Sequence, residues 1–384
     1  MGSRLLCCYG LVFWGGIAVQ AQDLALQVGR VFSMAGEPWE NGWVLIQDGR
    51  IAAVGSEVAV PEGVATLKFE GGVAMPGLVD AHTFLGNYFE PEEGVEAFTP
   101  EMQQIDLFNP NDPLLTKYLA EGVTTVLIAP ANGNVSGGQT AVVKLAGSSW
   151  EEQVLRETAG LKLCFTAEAL RPDRYPTSRF GLWDLVQHQF RSAREAEGEG
   201  EGVRREILQR ALAGELQVQM QAVRADEILA AARIAEEFGL AALVLHADRA
   251  YQVLKPLAQH PLGVVCGPLR WGDETRILEN PGRLAAAGLP LAFCSDAPLT
   301  DGNSLRRTAA LAVHYGLDPA TALRALTQTA AQLLGIDHRI GSLEVGKDGD
   351  VVVFSGDPLD LTSAVELVVV NGRVVYRRER AAEG

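Results

Sequence analysis

Histidine and carboxylate residues stand where apolar runs of this sequence end. Pro76-Gly77 punctuates the entry to Leu78-Val79, and Asp80 and His82 follow. Glu168 lies just beyond Leu161–Phe165, His246 closes Ala241–Leu245, and Asp296 follows Leu291–Cys294. The two-residue period of a strand puts Asp80, His82 and Phe84 on one face. Imidazoles and carboxylates brought from several strands to one mouth can hold a divalent ion, which lowers the pKa of a bound water and polarises a carbonyl. A carboxylate there can take the water's proton and return it to a leaving nitrogen. Each residue also has a structural role open to it. His82 and His246 could be buried groups satisfied by hydrogen bonds. Asp296, ahead of Ala297-Pro298, could cap loop N–H groups, and Glu168 could pair with Arg171, Arg174 or Arg179.

The elements that must position these residues alternate along the middle of the chain. Strand candidates are 78–82, 124–128, 141–145, 161–165, 216–220, 241–245, 263–266 and 291–294. Helical spacing of Ile228, Ala231, Ala235 and Phe238 predicts a helix over 226–238 that stops at Gly239. Asp318-Pro319 is a cap and first position for a helix through Leu326, and Gly335 closes another that begins near Thr329. Alternation of strand and helix argues a parallel sheet, and eight strands favour a closed (β/α)8 barrel with chemistry at the C-terminal strand ends. A doubly wound sheet accounts for neither the strand count nor the polar strand ends.

Both ends of the chain are β-rich instead. Residues 24–28, 42–47 and 50–54 read as strands, with a turn at Asp48-Gly49; 350–354, 367–370 and 374–376 match them, with a turn at Asn371-Gly372. The expected organisation is a composite β-sandwich from 22–72 and 342–384 around a TIM-like barrel over 73–341. Met75-Pro76-Gly77-Leu78-Val79-Asp80-Ala81-His82, Gly341 to Asp350 and Phe354-Ser355-Gly356-Asp357-Pro358 together resemble the amidohydrolase superfamily, in its imidazolonepropionase-like and peptidase-like groups.

That resemblance implies a ligand set, which this chain meets in part. The family's first strand ends His-x-His; here the residues are His82 and Phe84, and phenylalanine ligates no metal. The fourth strand often supplies a carboxylated lysine or a glutamate, and Leu161-Lys162-Leu163-Cys164-Phe165-Thr166-Ala167-Glu168 offers Glu168. The fifth should end in histidine but carries Gln221, and Val223 stands where the subgroup tends to have another. The sixth keeps His246, and the eighth keeps Asp296, the family's ligand and proton carrier. The implied metal set is His82, His246, Asp296 and Glu168, with Asp296 catalytic. It would hold one divalent metal, zinc or manganese, weakly, or none. Residues 121–144, with Asn132-Gly133-Asn134-Val135-Ser136-Gly137-Gly138-Gln139, also resemble a segment of the superfamily; as a loop after a strand, this stretch either contacts ligand through N–H groups or simply turns tightly.

Composition bounds the partners. The chain has 384 residues and a formal net charge of -16, with no basic block, which argues against a nucleic-acid-binding surface. Of its six histidines, His188, His260, His314 and His338 lack ligand spacing. Residues 1–21 combine Arg4, an apolar run from Leu5 to Val19 and a small-x-small site at Val19-Gln20-Ala21, the pattern of a secretory signal peptide. Its removal would leave a secreted or periplasmic protein without membrane contact, with Cys164, Cys266 and Cys294 as buried thiols rather than a disulfide framework. The glycine–glutamate stretch 195–202 has no apolar anchor and reads as a mobile surface loop or a fray between the helices either side. The expected ligand is a small molecule or short peptide, and a homodimer is compatible with the barrel. Two functions follow: a metal-dependent hydrolase of non-peptide C–N or small peptide amide bonds, or a catalytically inactive homologue that binds small molecules or serves structurally.

Overall fold

The computed structural model describes residues 23–86, 93–195, 202–260 and 262–379. The expected signal segment and residues 196–201 of the glycine–glutamate stretch lie outside them. The chain opens on β1 (Leu24–Val31), β2 (Trp39–Glu40), β3 (Trp43–Gln47), β4 (Arg50–Gly55) and β5 (Ala65–Pro76). Then come β6 (Leu78–Thr83), β7 (Val123–Ile128), β8 (Ser136–Lys144), β9 (Val154–Cys164), β10 (Val218–Ala222), β11 (Ala242–His246), β12 (Leu262–Cys266) and β13 (Leu291–Phe293). β14 (Val351–Phe354), β15 (Val365–Val370) and β16 (Arg373–Arg377) complete the strands among the described residues.

Strands β6 to β13 lie side by side in chain order in one sheet. The sheet bends back on itself, where Phe84 N–H donates to Ala297 O (2.7 Å) and Asp296 N–H to His82 O (3.3 Å). The TIM-like barrel expected from the strand count is therefore present and nearly closed. Its strands are not all parallel, as the alternation suggested: β8 runs antiparallel to both β7 and β9. The short connection from Ile128 to Ser136 leaves no room for a crossover helix, so the next strand must run backwards.

Alternate strand residues divide between two cores. Val79, Ala81, Leu243, Leu245, Val265 and Cys294 form one cluster, joined by Ala330 and Ala331 of the helix Gln328–Leu333. The intervening Leu78, Val244, Val264 and Phe293 join a larger cluster with Phe190 and Ile228 of the surrounding helices. The spacing that predicts a helix near 226–238 is realised as Ala225–Phe238, and Gly239 ends it in the left-handed region at φ 70°. Asp318 caps Pro319–Ala325 by accepting from Thr321 N–H at 2.8 Å.

The β-rich ends meet in a second sheet, ordered β16-β15-β14-β5-β1-β3-β4, with β2 beside β1. Leu26, Val44, Ile46, Val351, Val353 and Leu367 form its core. Both expected turns have the two positive φ values of a type I′ hairpin: 49° and 77° at Asp48-Gly49, 49° and 73° at Asn371-Gly372. The two turns touch. A Cβ on Gly372 would stand 2.7 Å from Gly49 Cα, so only glycine fits there.

One buried ionic group ties the sheets together. Lys144 sits at the far end of β8 with its side chain fully buried. Its Nζ donates to Asp348 Oδ2 (2.8 Å), Asp350 Oδ1 (3.0 Å) and Asn371 Oδ1 (2.5 Å). Arg339 also donates to Asp348 Oδ2, at 2.7 Å. Removing one partner of a buried pair strands the other charge, so Lys144→Met is expected to lower unfolding stability by about 3 kcal/mol, measured by urea titration; an unchanged midpoint would refute this role. A second junction joins Glu152, in the short helix Trp150–Gln153, to Arg373 of β16 at 2.5 and 3.1 Å. The Arg373 hydrogen bond is the largest of the influences that hold the Glu152 carboxyl at about 2 rather than 4.5. The folded state therefore favours the carboxylate. The stabilisation is complete above pH 4.5 and fades as pH falls from 4.5 towards 2. Arg373→Gln should accordingly shrink the difference in thermal midpoint between pH 6 and pH 3.

Candidate active site

His82, His246 and Asp296 converge at the mouth of the barrel, with one potential ligand atom from each lying within 4.8 Å of the others. The regular strand geometry breaks at each of them. Between Asp80 and Thr83, β6 advances one residue more than its partner does between Val126 and Ile128, which is a bulge. Of the single face expected for Asp80, His82 and Phe84, His82 and Phe84 still pack together while Asp80 departs. Asp80 turns to Ser295, and His82 turns to Asp296. His246 and Asp296 have φ values of 70° and 56°, a left-handed backbone that costs non-glycine residues about 1–3 kcal/mol and persists where the surroundings enforce it.

The Asp296 carboxylate links the group. His82 Nδ1–H donates to Asp296 Oδ1 at 2.8 Å, and His246 Nε2 lies 2.9 and 2.8 Å from Oδ1 and Oδ2. Burial alone would raise the Asp296 pKa, but the charge of His246 and the hydrogen bonds from both histidines hold it well below the usual carboxylate range. His246 is opposed by burial too, yet Asp296 raises it above its ordinary value. His82 goes the other way: burial first, then the Lys162 charge, lower it to about 3, so its ring is neutral. A neutral ring carrying its proton on Nδ1 has its lone pair on Nε2, and Lys162 Nζ donates to that atom at 2.9 Å.

Lys162 is the residue that reading strand ends missed, and Asp80, named there, was given no role. Lys162 lies inside β9 with 1% exposure, donates to Pro130 O at 2.7 Å, and stands 5.1 Å from the Phe84 ring centroid. A single lysine within the apolar run Leu161–Phe165 was the available signal. Glu168, taken from the same segment, is exposed in the short 3-10 turn Ala167–Ala169 and is not brought into the group. Its carboxyl follows the strand by several residues, after the chain has turned outward. Asp80, fully buried, accepts from Ser295 N–H (3.0 Å) and the Ser295 hydroxyl, and so braces the residue before Asp296. Burial lifts its carboxyl to about 7.

Phe84 packs edge-on to His82, with ring centroids 5.0 Å apart, and covers one flank of the site. Gln221 is 3% exposed; Val218, Met220 and Ala222 pack among the helices, so the strand period turns Gln221 to the barrel interior. Its Oε1 and His246 Nδ1 are buried without protein partners, atoms that an ion or water would satisfy. Of the glycine-rich stretch, Ser136–Lys144 is strand rather than loop. A Cβ on Gly138 would come within 2.4 Å of Met102 O, which explains that glycine by close backbone approach.

The chain as a whole resembles known proteins. A family model described as "Amidohydrolase family" matches residues 273–376. The crystal structure of an amidohydrolase from Thermotoga maritima MSB8 superposes with a TM-score of 0.85 at 32% identity, over 92% of this chain and 100% of that one. "Imidazolonepropionase" of Shewanella baltica (strain OS185) is 25% identical, covering 88% of this chain and 93% of its own length. "Amidohydrolase tasK" of Hapsidospora irregularis is 25% identical over 89% of this chain, which spans 40% of that protein. The chain belongs to the amidohydrolase family. Among the described residues, its group of donors that could hold a metal is His82, His246 and Asp296.

The Asp80 brace has a measurable value. Asp80→Ala leaves the Ser295 hydroxyl and N–H without their acceptor and should cost about 1–3 kcal/mol of stability by chemical denaturation. Equal stability in the two proteins would mean that the brace carries nothing.

Proposed function

We propose that this protein is a single-metal amidohydrolase that cleaves the C–N bond of a small amide, either a cyclic non-peptide amide or a short peptide. The observation that carries this reading is the meeting of His82, His246 and Asp296 from three separate strand ends, with Asp296 touching both histidines. Two imidazoles and a carboxylate suit zinc, with manganese as the oxygen-tolerant second choice, and the partnerless His246 Nδ1 marks unsatisfied donor capacity at the site. When bound, a divalent ion would supply an acidified water and a polarised carbonyl. Asp296 is the group that holds the attacking water's proton and returns it to the leaving nitrogen, because it alone joins both histidines and stays ionised. Phe84 excludes water from one flank, and Asp80 with Ser295 fixes the height of Asp296. The similarity to an imidazolonepropionase favours a cyclic amide as the first substrate class to test. Residues 1–21 favour export, and hence a substrate met outside the cytoplasm.

A second reading has its own support. Both ring nitrogens of His82 are engaged by other side chains, Asp296 and Lys162, as in a pocket that binds small molecules without metal. Metal content after purification from zinc- or manganese-supplemented medium separates the two. A hydrolase retains about one ion per chain. His246→Ala loses that ion and drops kcat/KM on a cyclic-amide panel by about a thousandfold, the equivalent of several kcal/mol. Wild type that takes up neither metal nor turns over any amide would establish the binding-protein reading.

A further inference from the structure

Two glutamines of β10 face the barrel interior, and they differ in how they are satisfied. The Gln219 carboxamide accepts from the Thr140 hydroxyl at 2.9 Å and donates to Gln217 Oε1 at 3.3 Å. Gln221 stands one pleat nearer the mouth, beside Leu245 of β11 and one residue short of the Ala222–His246 pair. It is 3% exposed, and its Oε1 has no hydrogen-bond partner among the described residues. The side chains of the interior cluster, Ala81, Ala129, Leu245 and Val265 among them, are apolar and offer none. A buried acceptor left bare is costly, so a ligand that supplies the missing donor relieves that cost on binding. The backbone makes no demand on this amide, since Gln221 O already accepts from Phe165 N–H at 2.9 Å. What satisfies the side chain follows from its chemistry. An apolar group leaves Oε1 bare, and an anion can meet the N–H donors but not Oε1. A carboxamide sets an acceptor and a donor in one rigid plane, so its complement carries a donor and an acceptor side by side.

We propose that Gln221 reads the substrate, and that the substrate is an amide with its N–H and C=O on one edge, as in a cyclic amide. The inference rests on the hydrolase reading above and decides between its two substrate classes. A small ring holds its amide cis, so both groups point the same way and one carboxamide meets both. Glutamine meets the paired donor and acceptor of adenine in the same fashion. A peptide bond is trans and turns the two groups opposite ways, so one carboxamide meets only one of them. The peptide bond that turns cis most readily precedes proline, and it has no N–H to give. With a ring bound, Gln221 Nε2–H donates to the substrate carbonyl oxygen and Oε1 accepts from the substrate N–H. Gln221 therefore binds and orients the amide and moves no proton.

Matched ring pairs test this. Succinimide, hydantoin and dihydrouracil are each compared with the derivative methylated on the imide nitrogen, and with glycylglycine as the trans amide. Binding is read by calorimetry, or by KM where the ring is cleaved. Wild type should prefer each ring over its methylated form by about tenfold or more, and over glycylglycine as well. In Gln221→Met, which keeps the bulk but not the hydrogen bonds, the preference for the unmethylated ring should fall to about twofold or less. A preference that survives in Gln221→Met is steric exclusion of the methyl group and overturns the inference. So does a wild type that binds both ring forms equally, binds no ring at millimolar concentration, or favours the dipeptide. Loss of bound metal in Gln221→Met would make Gln221 a ligand and overturns it too. All of these outcomes leave the hydrolase reading standing. A wild type that retains no metal and cleaves no amide sinks the hydrolase reading, and the inference with it. Gln221→Leu takes the place of Gln221→Met should the latter not fold, and the wild-type comparison needs neither.

Discussion

The Asp296 carboxylate is the constraint on which the site depends. It is a part-buried negative charge shared by two histidines, one on the first strand of the barrel sheet and one on its sixth. A carboxylate drawn this far from water needs its oxygens satisfied, and these two rings satisfy them. Because β6 and β13 are the opposite edges of the sheet, the contact between His82 and Asp296 is also part of what closes the barrel. Asp80 and Ser295 repeat the closure one step away, through backbone and hydroxyl donors to a second buried carboxyl. Chemistry and fold thus share the same few bonds, and a change in either is felt by both.

Much of the fold was legible because it rests on local patterns. Apolar runs of strand length, glycine stops such as Gly239, the Asp318 cap and the paired turns at Asp48-Gly49 and Asn371-Gly372 each encode one element through short-range physics. The direction of β8 was not legible, since it follows from the shortness of one connection and not from the strand's own residues. At the site, residue types at strand ends singled out His82, His246 and Asp296, and the structure brings these three together. How they point was beyond reach: a bulge at Asp80–Thr83 and left-handed backbone at His246 and Asp296 override the two-residue alternation on which any such reading depends. Lys162 was passed over for Glu168 because a carboxylate near a strand end looks more chemical than a lysine within an apolar strand. Burial reverses that order, for the glutamate is exposed and the lysine is not.

Phe84 and Gln221 give the site its character within the amidohydrolase family. One sets an aromatic ring against histidine and lysine alike. The other offers a neutral amide in the barrel interior. Among the described residues, the groups that could hold a metal are His82, His246 and Asp296, with Lys162 beside His82.

The second sheet has a consequence for how the molecule comes into being. Its N-terminal strands emerge early in synthesis, yet β5 pairs with β14, and Arg50 donates to Gly346 across 296 residues. Until translation nears its end, one side of β5 presents unpaired N–H and C=O groups. Such an open edge recruits strands from other chains when concentrations are high. The interval between synthesis of Pro76 and Val351 is therefore a period of vulnerability, during which yield depends more on shielding that edge than on the stability of the finished barrel.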